Sequence, residues 1–477
     1  MIIENIAEIT KKKYQVVIFG TGPAGTSLAL DLEKKKIKCL IIESGKNIFS
    51  EESQDFYKCQ VVGDDYGDMS TTRLRQLGGT SEHWEGNCRP LDEHDFSKWN
   101  FKKKELDQFL PEACNILNIK NKFYNKKIDN ILNNISYQQS DVRFSQYYTK
   151  INESNYIDFV NNTSLFDIVI ENNAITKSTL IHKGKKINFE NANLYIIACG
   201  GIENNRIMLH LKNKYKNFFS GYPIGHYYMD HPVSTVAKGL IELNTFKKYF
   251  KFDKHGESLI NKSDSFTCSV SPTYEFINQE NILNTELMLS INELKKSQKT
   301  DLLKNLQLVA PHFFKNIFSK NSESFKSITI SCSPEQDSLK VNRIELSKID
   351  TDSFGMPRPV IYWKKSKKMK KTQKILVEQI GKDFIRNNIG RIGALDFLYN
   401  EDTYPNSPGI HHMGGTRIGK NSKNSVVNSD LKVHGLNNFY VCGSSVFKSS
   451  GHANPTLTIV QLALKLSRHI DQILKTV

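Results

Sequence analysis

The clearest hydrophobic patterns lie at the two ends of the chain. Near the N-terminus, Val16, Val17, Ile18 and Phe19 form an unbroken apolar run. Such a run predicts a parallel strand covered on both faces rather than a half-exposed one, which would alternate. A glycine-rich turn follows it, then a helical stretch, then a second apolar strand, Cys39–Ile42. At the other end Leu457, Val460, Leu462 and Leu464 recur at spacings of two to four, predicting an amphipathic helix with one buried face. Asn454 suits its N-cap and Pro455 its first helical position. Two more apolar runs, Leu194–Ile197 and Phe439–Cys442, each lead into glycine and predict further buried strands. The stretch 291–325 predicts one or two lysine-rich helices facing solvent.

At 477 residues and 39% hydrophobic content the chain can bury a large core, and two domains are expected. No run of about 18 apolar residues occurs, so no membrane span is expected. The first residues lack a signal-peptide layout, which predicts a cytoplasmic protein. Eight cysteines stand singly with no CxxC pair, which predicts neither a zinc site nor a disulfide framework; no metal is expected. The net charge of +15 comes from lysine scattered among asparagine and isoleucine, without an arginine-rich helix, so no nucleic-acid partner is expected. A lysine-rich surface would tolerate an anionic substrate, including a charged glycoside.

The N-terminal turn carries candidate chemistry. Gly20, Gly22 and Gly25 give the GxGxxG spacing. The first glycine permits the tight turn, the second lets backbone approach a pyrophosphate, and the third packs helix on strand. Pro23 and Ala24 open the helix, whose N-terminal N–H groups and dipole favour phosphate. Glu43, followed by Ser44, closes the second strand where a ribose would be bound. This unit predicts a dinucleotide site without separating FAD from NAD.

Four further blocks sharpen that reading: "RLRQLGGTSEHWEGNCRPL" (Arg73–Leu91), "HHMGGTRIG" (His411–Gly419), "VVNSDLKVHGLNNFYVCGSSVF" (Val426–Phe447) and "SSGHANPTLTIVQLALKLSRHI" (Ser449–Ile470). With "LYIIACGGIENNRIML", "GYPIGHYYMDHP" and "VNRIELSKIDTDSFGMPRPVIYW" between them, these blocks resemble, in order, the glucose–methanol–choline family of flavin oxidoreductases, and most nearly its bacterial, pyranose-oxidase-like branch. Residues 236–335 resemble the family least, and substrate identity is expected to be written there.

The resemblance implies an α/β fold, with a Rossmann-like FAD-binding domain (1–100, 165–235 and 404–477) interleaved with a sheet-based substrate domain (101–164 and 236–403). It implies FAD as cofactor, held by the N-terminal turn together with Arg73, Gly78, Gly79, Ser81, His83, Trp84, Gly86, Gly443, Ser444, Asn454, Pro455 and Thr456. His83 occupies the position that carries a histidyl–flavin bond in some relatives and none in others. His412, which begins H-M-G-G-T, matches the family's general base, and Asn454 its second active-site position. His411, His452 and His231 stand nearby; His231 is expected to be structural, and Arg417 a fixed hydrogen-bond donor. The implied reaction is oxidation of a CH–OH group of a sugar, glycoside or other alcohol, with oxygen or an electron carrier as acceptor. A lyase or photodecarboxylase-like flavoprotein is the alternative.

Overall fold

The computed structural model describes residues 3–250, 260–293, 324–400 and 404–476, apart from positions 4, 263, 264, 406 and 407, together with residues 310, 311 and 315. The lysine-rich helices expected within 291–325 fall largely outside the described residues.

The apolar runs assemble into one five-stranded parallel sheet. Its strands are β1 (Tyr14–Phe19), β2 (Cys39–Ile42), β3 (Ile157–Val160), β4 (Ala192–Ile197) and β5 (Phe439–Val441), in spatial order β5-β4-β1-β2-β3. Helix α1 (Pro23–Lys34) follows β1, and helix α2 (Gly200–Lys214) follows β4. In an open parallel sheet ligands bind past the carboxyl ends of the strands. Here the ends of β1, β2, β4 and β5 run into Gly20, Glu43, Ala198–Gly200 and Gly443, all of which border the same cavity.

β3 departs from the expected domain division, which placed 101–164 in the substrate domain. Ile157–Val160 instead pairs with Cys39–Ile42 as an edge of the parallel sheet. Asp158 interrupts its apolar pattern. In the fold that carboxylate accepts from the Tyr14 hydroxyl at 2.8 Å and the Lys12 ammonium at 3.0 Å, so it can sit inside a strand.

A second, eight-stranded sheet is antiparallel throughout and contains Leu132–Ile135, Ser234–Glu242, Ser265–Pro272, Thr285–Asn292, Phe325–Pro334 and Gly390–Ala394. Side chains alternate across each strand. Leu287 and Leu289 therefore bury themselves on the face covered by helix α3 (Lys367–Arg386), with Leu376, Val377, Ile380 and Phe384. Glu286 and Met288 face the opposite way, into the cavity.

The C-terminal helix α4 (Thr456–Thr476) starts one residue later than expected: the Pro455 carbonyl accepts the Ile459 N–H, which makes Pro455 the capping residue. It also buries two faces rather than one. Leu457, Val460 and Leu464 pack on Cys88, Ala113 and Phe144, whereas Leu462, Ala463, Leu466 and Ile470 join the core of the parallel sheet. The single stripe expected from the sequence merged two, because Leu462 lies across the helix from Leu457 and Val460. All eight cysteines are free. Among the described residues no helix is long and apolar enough to cross a membrane.

Candidate active site

The three glycines of the N-terminal turn divide their work as their spacing predicts. Gly20 has φ +107°, and a Cβ there would stand 2.5 Å from the Ala198 carbonyl oxygen. A Cβ on Gly25 would stand 1.9 Å from the Gly20 carbonyl oxygen, so α1 rests on the turn only because that side chain is missing. Gly25 accordingly packs helix on strand and does not border the cavity. A Cβ on Gly22 would meet nothing closer than 3.9 Å, and one on Gly200 nothing within 4 Å. Both glycines line the cavity, so bare backbone faces the space where a pyrophosphate needs it.

Glu43 closes this end. Its Oε2 accepts from the Thr21 N–H (3.0 Å) and hydroxyl (2.6 Å), and its Oε1 from the Gly45 N–H (2.7 Å). A carboxylate has about four acceptor positions, so one remains for a ribose hydroxyl. The residue thus shapes the turn as well as facing the ligand space.

From here one cavity of about 1050 Å³ continues past Ser44, Gly79, Ser81, His83, Trp84 and Gly86 to Gly443, Ser444, Asn454, Pro455 and Thr456, and reaches His411 and His412. Besides Gly25, two expected cofactor residues lie outside it. Gly78 (φ +84°) turns the chain, and a Cβ there would meet the Ser145 nitrogen at 2.6 Å. Arg73 is spent elsewhere: it pairs with Glu203 at 2.8 Å, donates to the Tyr57 carbonyl at 2.9 Å and stacks 4.2 Å over the Tyr57 ring. An arginine beside a glycine turn reads as an anion clamp in sequence. Its acidic partner is 130 positions away.

His412 is held by its backbone. Met413 and Met229 exchange both backbone hydrogen bonds at 2.9 Å, and the His412 carbonyl accepts from the Ser444 hydroxyl at 2.6 Å. Its ring lies over those of Tyr66 and Tyr228, centroids 6.1 and 6.4 Å away. Nε2 is buried with no hydrogen-bond partner among the described residues. A buried polar atom without a partner is costly unless a ligand satisfies it. Burial pushes the imidazole down to about 4, so the ring is neutral at pH 7.

Asp230, not singled out in the sequence, organises the neighbourhood. Its Oδ1 accepts from the backbone N–H of both His231 (2.7 Å) and His411 (2.6 Å), and its Oδ2 accepts from the Tyr66 hydroxyl. The "MDHP" block held the signal, but the histidine drew the attention. Arg417 donates to the Asn424 carbonyl at 2.8 Å and stacks on Tyr227.

His452 is 1% exposed and does not border the cavity. Its Nε2 contacts Asp92 Oδ2 at 3.0 Å and its Nδ1 the Tyr137 hydroxyl at 3.0 Å; that hydroxyl donates to Glu286 Oε2, also at 3.0 Å. Asp92, His94 and Asp95 place ligand-type atoms within 4.8 Å of one another, yet Arg89, Asn284 and His452 already occupy the two carboxylates.

Residues 338–463 match the family model described as GMC oxidoreductase. Among characterised proteins, the chain is 30% identical over 119 residues to pyranose 2-oxidase of Tricholoma matsutake, covering 24% of this chain and 20% of that one. It is 28% identical over 134 residues to the fructose dehydrogenase large subunit of Gluconobacter japonicus, covering 28% and 23%. The matched stretches thus span less than a quarter of the length of these two relatives. The fold resembles that of pyridoxine 4-oxidase from Mesorbium loti (TM-score 0.59, 12% identity, 96% of this chain and 99% of that one). A formate oxidase superposes at TM-score 0.55 with 14% identity, covering 97% and 99%.

Proposed function

We propose that this chain, which carries the C-terminal domain of the GMC oxidoreductases, holds FAD along the cavity and oxidises a CH–OH group of a sugar, glycoside or other alcohol to a carbonyl. One observation supports this above the rest. A single cavity joins the bare backbone of Gly22 and Gly200 to a neutral histidine whose Nε2 has no protein partner.

FAD bound there supplies the hydride acceptor. Gly22, Gly200 and the N-terminus of α1 would face its phosphates, Glu43 its ribose, and the Gly79–Gly86 loop with the N-terminus of α4 the remainder. The first N–H groups of α4 have no intrahelical partner, and together with the helix dipole they favour negative charge. His412 Nε2 accepts the hydroxyl proton, since a neutral imidazole in a dry pocket is a base that needs no prior deprotonation. Asn454 orients the same oxygen from the start of α4. His83 is an exposed residue on the cavity wall; acid precipitation distinguishes a histidyl–flavin bond, which keeps the pellet yellow, from a freely held cofactor.

The deciding experiment is an anaerobic screen of sugars, glycosides and simple alcohols for bleaching of the flavin absorbance. If none bleaches it, the oxidation reading fails.

A further inference from the structure

The charge of the cavity is opposite to that of the protein. The chain carries 65 Lys and Arg against 50 Asp and Glu. Yet among the described residues the cavity is lined by no Lys or Arg at all, while Glu43, Glu85 and Glu286 face it. Glu43 belongs to the dinucleotide turn. Glu286 sits at the far end, beside Thr267, Ser269, Met288 and Ser333 on the polar face of the large sheet.

We propose that Glu286 binds hydroxyl groups of the substrate and makes this cavity select uncharged, polyhydroxylated alcohols over anionic ones. The proposal rests on the oxidation reading and names its substrate class. It replaces the anionic glycoside that the lysine-rich surface suggested.

Glu286 is 8% exposed and is held by two neutral donors, the Ser269 hydroxyl on Oε1 at 2.6 Å and the Tyr137 hydroxyl on Oε2 at 3.0 Å. Of the roughly four acceptor positions on a carboxylate, about two remain open. A vicinal diol supplies the matching pair of donors. An anionic substrate would enter a low-dielectric space holding a like charge and no lining cation to offset it.

A hydrogen-bond chain positions Glu286 from behind. Tyr137 has one hydroxyl proton and stands 3.0 Å from both Glu286 Oε2 and His452 Nδ1. Tyr137 donates to Glu286, and His452 joins Tyr137 to Asp92 through its two ring nitrogens. Burial raises Asp92, but the hydrogen bond and charge of His452, with Arg89 beside it, outweigh burial and hold that carboxyl well below its usual range.

The test uses the flavin-loaded protein under anaerobic conditions, with dissociation constants read from perturbation of the flavin spectrum. The probes are matched pairs: glucose against glucuronate, methyl β-glucoside against methyl β-glucuronide, and sorbitol against gluconate. The uncharged member should bind roughly ten- to hundredfold more tightly, the usual worth of a charge-assisted hydrogen bond. Glu286→Gln should weaken the uncharged member by about tenfold and bring each pair to within about threefold. Tyr137→Phe, which keeps the carboxylate, should keep the preference. The proposal is overturned if the parent protein binds the carboxylate members equally well, if it binds no member of any pair, or if Glu286→Gln leaves the ratios unchanged. The parent's own ratios decide the matter should Glu286→Gln fail to fold. Selective binding without bleaching sinks the oxidation reading and leaves the role of Glu286 standing; bleaching without charge preference does the reverse.

Discussion

His231 Nδ1 lies 3.0 Å from His411 Nδ1, and the contact fixes the tautomers of both rings. His231 Nε2 lies 3.3 Å from the Ser450 carbonyl, which only accepts, so Nε2 carries the proton. Burial lowers His231 to about 3, which leaves its Nδ1 bare at neutral pH. His411 must then donate from its own Nδ1. His411 is thereby tied to a protein partner, whereas Nε2 of His412 has none among the described residues.

That asymmetry supports the proposed role of His412 as the base. His412→Ala should retain flavin and slow anaerobic flavin reduction at saturating substrate by about a hundredfold to ten-thousandfold, the usual worth of a positioned general base. His411→Ala, which loses an orienting ring, should cost less. Stopped-flow absorbance separates the two, and equal reduction rates for His412→Ala and the parent would move the base elsewhere.

The same burial sets the pH behaviour. His231, His411 and His412 are lowered from 6.5 to about 3, 4 and 4 in the fold. Between about pH 6.5 and about pH 4 the unfolded chain therefore binds more protons than the folded one, and stability falls as the pH falls. Each such proton contributes a slope of up to about 1.4 kcal/mol per pH unit. Denaturant midpoints measured from pH 7 to pH 4 should fall steeply for the parent and less steeply for His231→Gln. The reduction rate, in contrast, should hold nearly level from neutral pH until it approaches the lowered value of His412 near about 4.

How far the sequence carried depended on whether a feature was local. The strand, glycine turn and helix around Gly20–Gly25 were legible because steric need and spacing coincide within a dozen residues. His412 and Asn454 were legible through their blocks, and the fold brings both to one cavity. The Asp92–His452–Tyr137–Glu286 chain was not, because four chain segments far apart supply one residue each and no spacing announces them. The ion pair of Arg73 was hidden for the same reason: Glu203 lies on another element. Bulk charge said least about the site, since among the described residues none of the lysines or arginines lines the cavity.

Glu43 offers a test of the cofactor end. Because its carboxylate accepts from Thr21 twice and from Gly45, Glu43→Ala leaves two backbone N–H groups without their acceptor as well as any ribose bond. Loss of a buried acceptor of this kind costs about 1–3 kcal/mol. Flavin content of the purified variant should drop and its melting temperature should fall. Glu43→Gln, which keeps an acceptor oxygen, should lie between the variant and the parent on both counts.

Gly201, at the start of α2, bears on the opposite end. A Cβ built there would stand 2.2 Å from the His412 carbonyl oxygen and 2.8 Å from the His412 Cβ. No ordinary contact is so short, and Ser444 already holds the His412 carbonyl while Met229 holds the next residue, Met413, so this segment must shift. Gly201→Ala should therefore move the base without removing any group that reacts. A displacement of about 1 Å at a catalytic group costs on the order of a hundredfold. The expected result is a variant that still binds flavin, reduces it about a hundredfold more slowly at saturating substrate, and loses little affinity for that substrate. Unchanged reduction kinetics in Gly201→Ala would show that the position of His412 does not govern the rate.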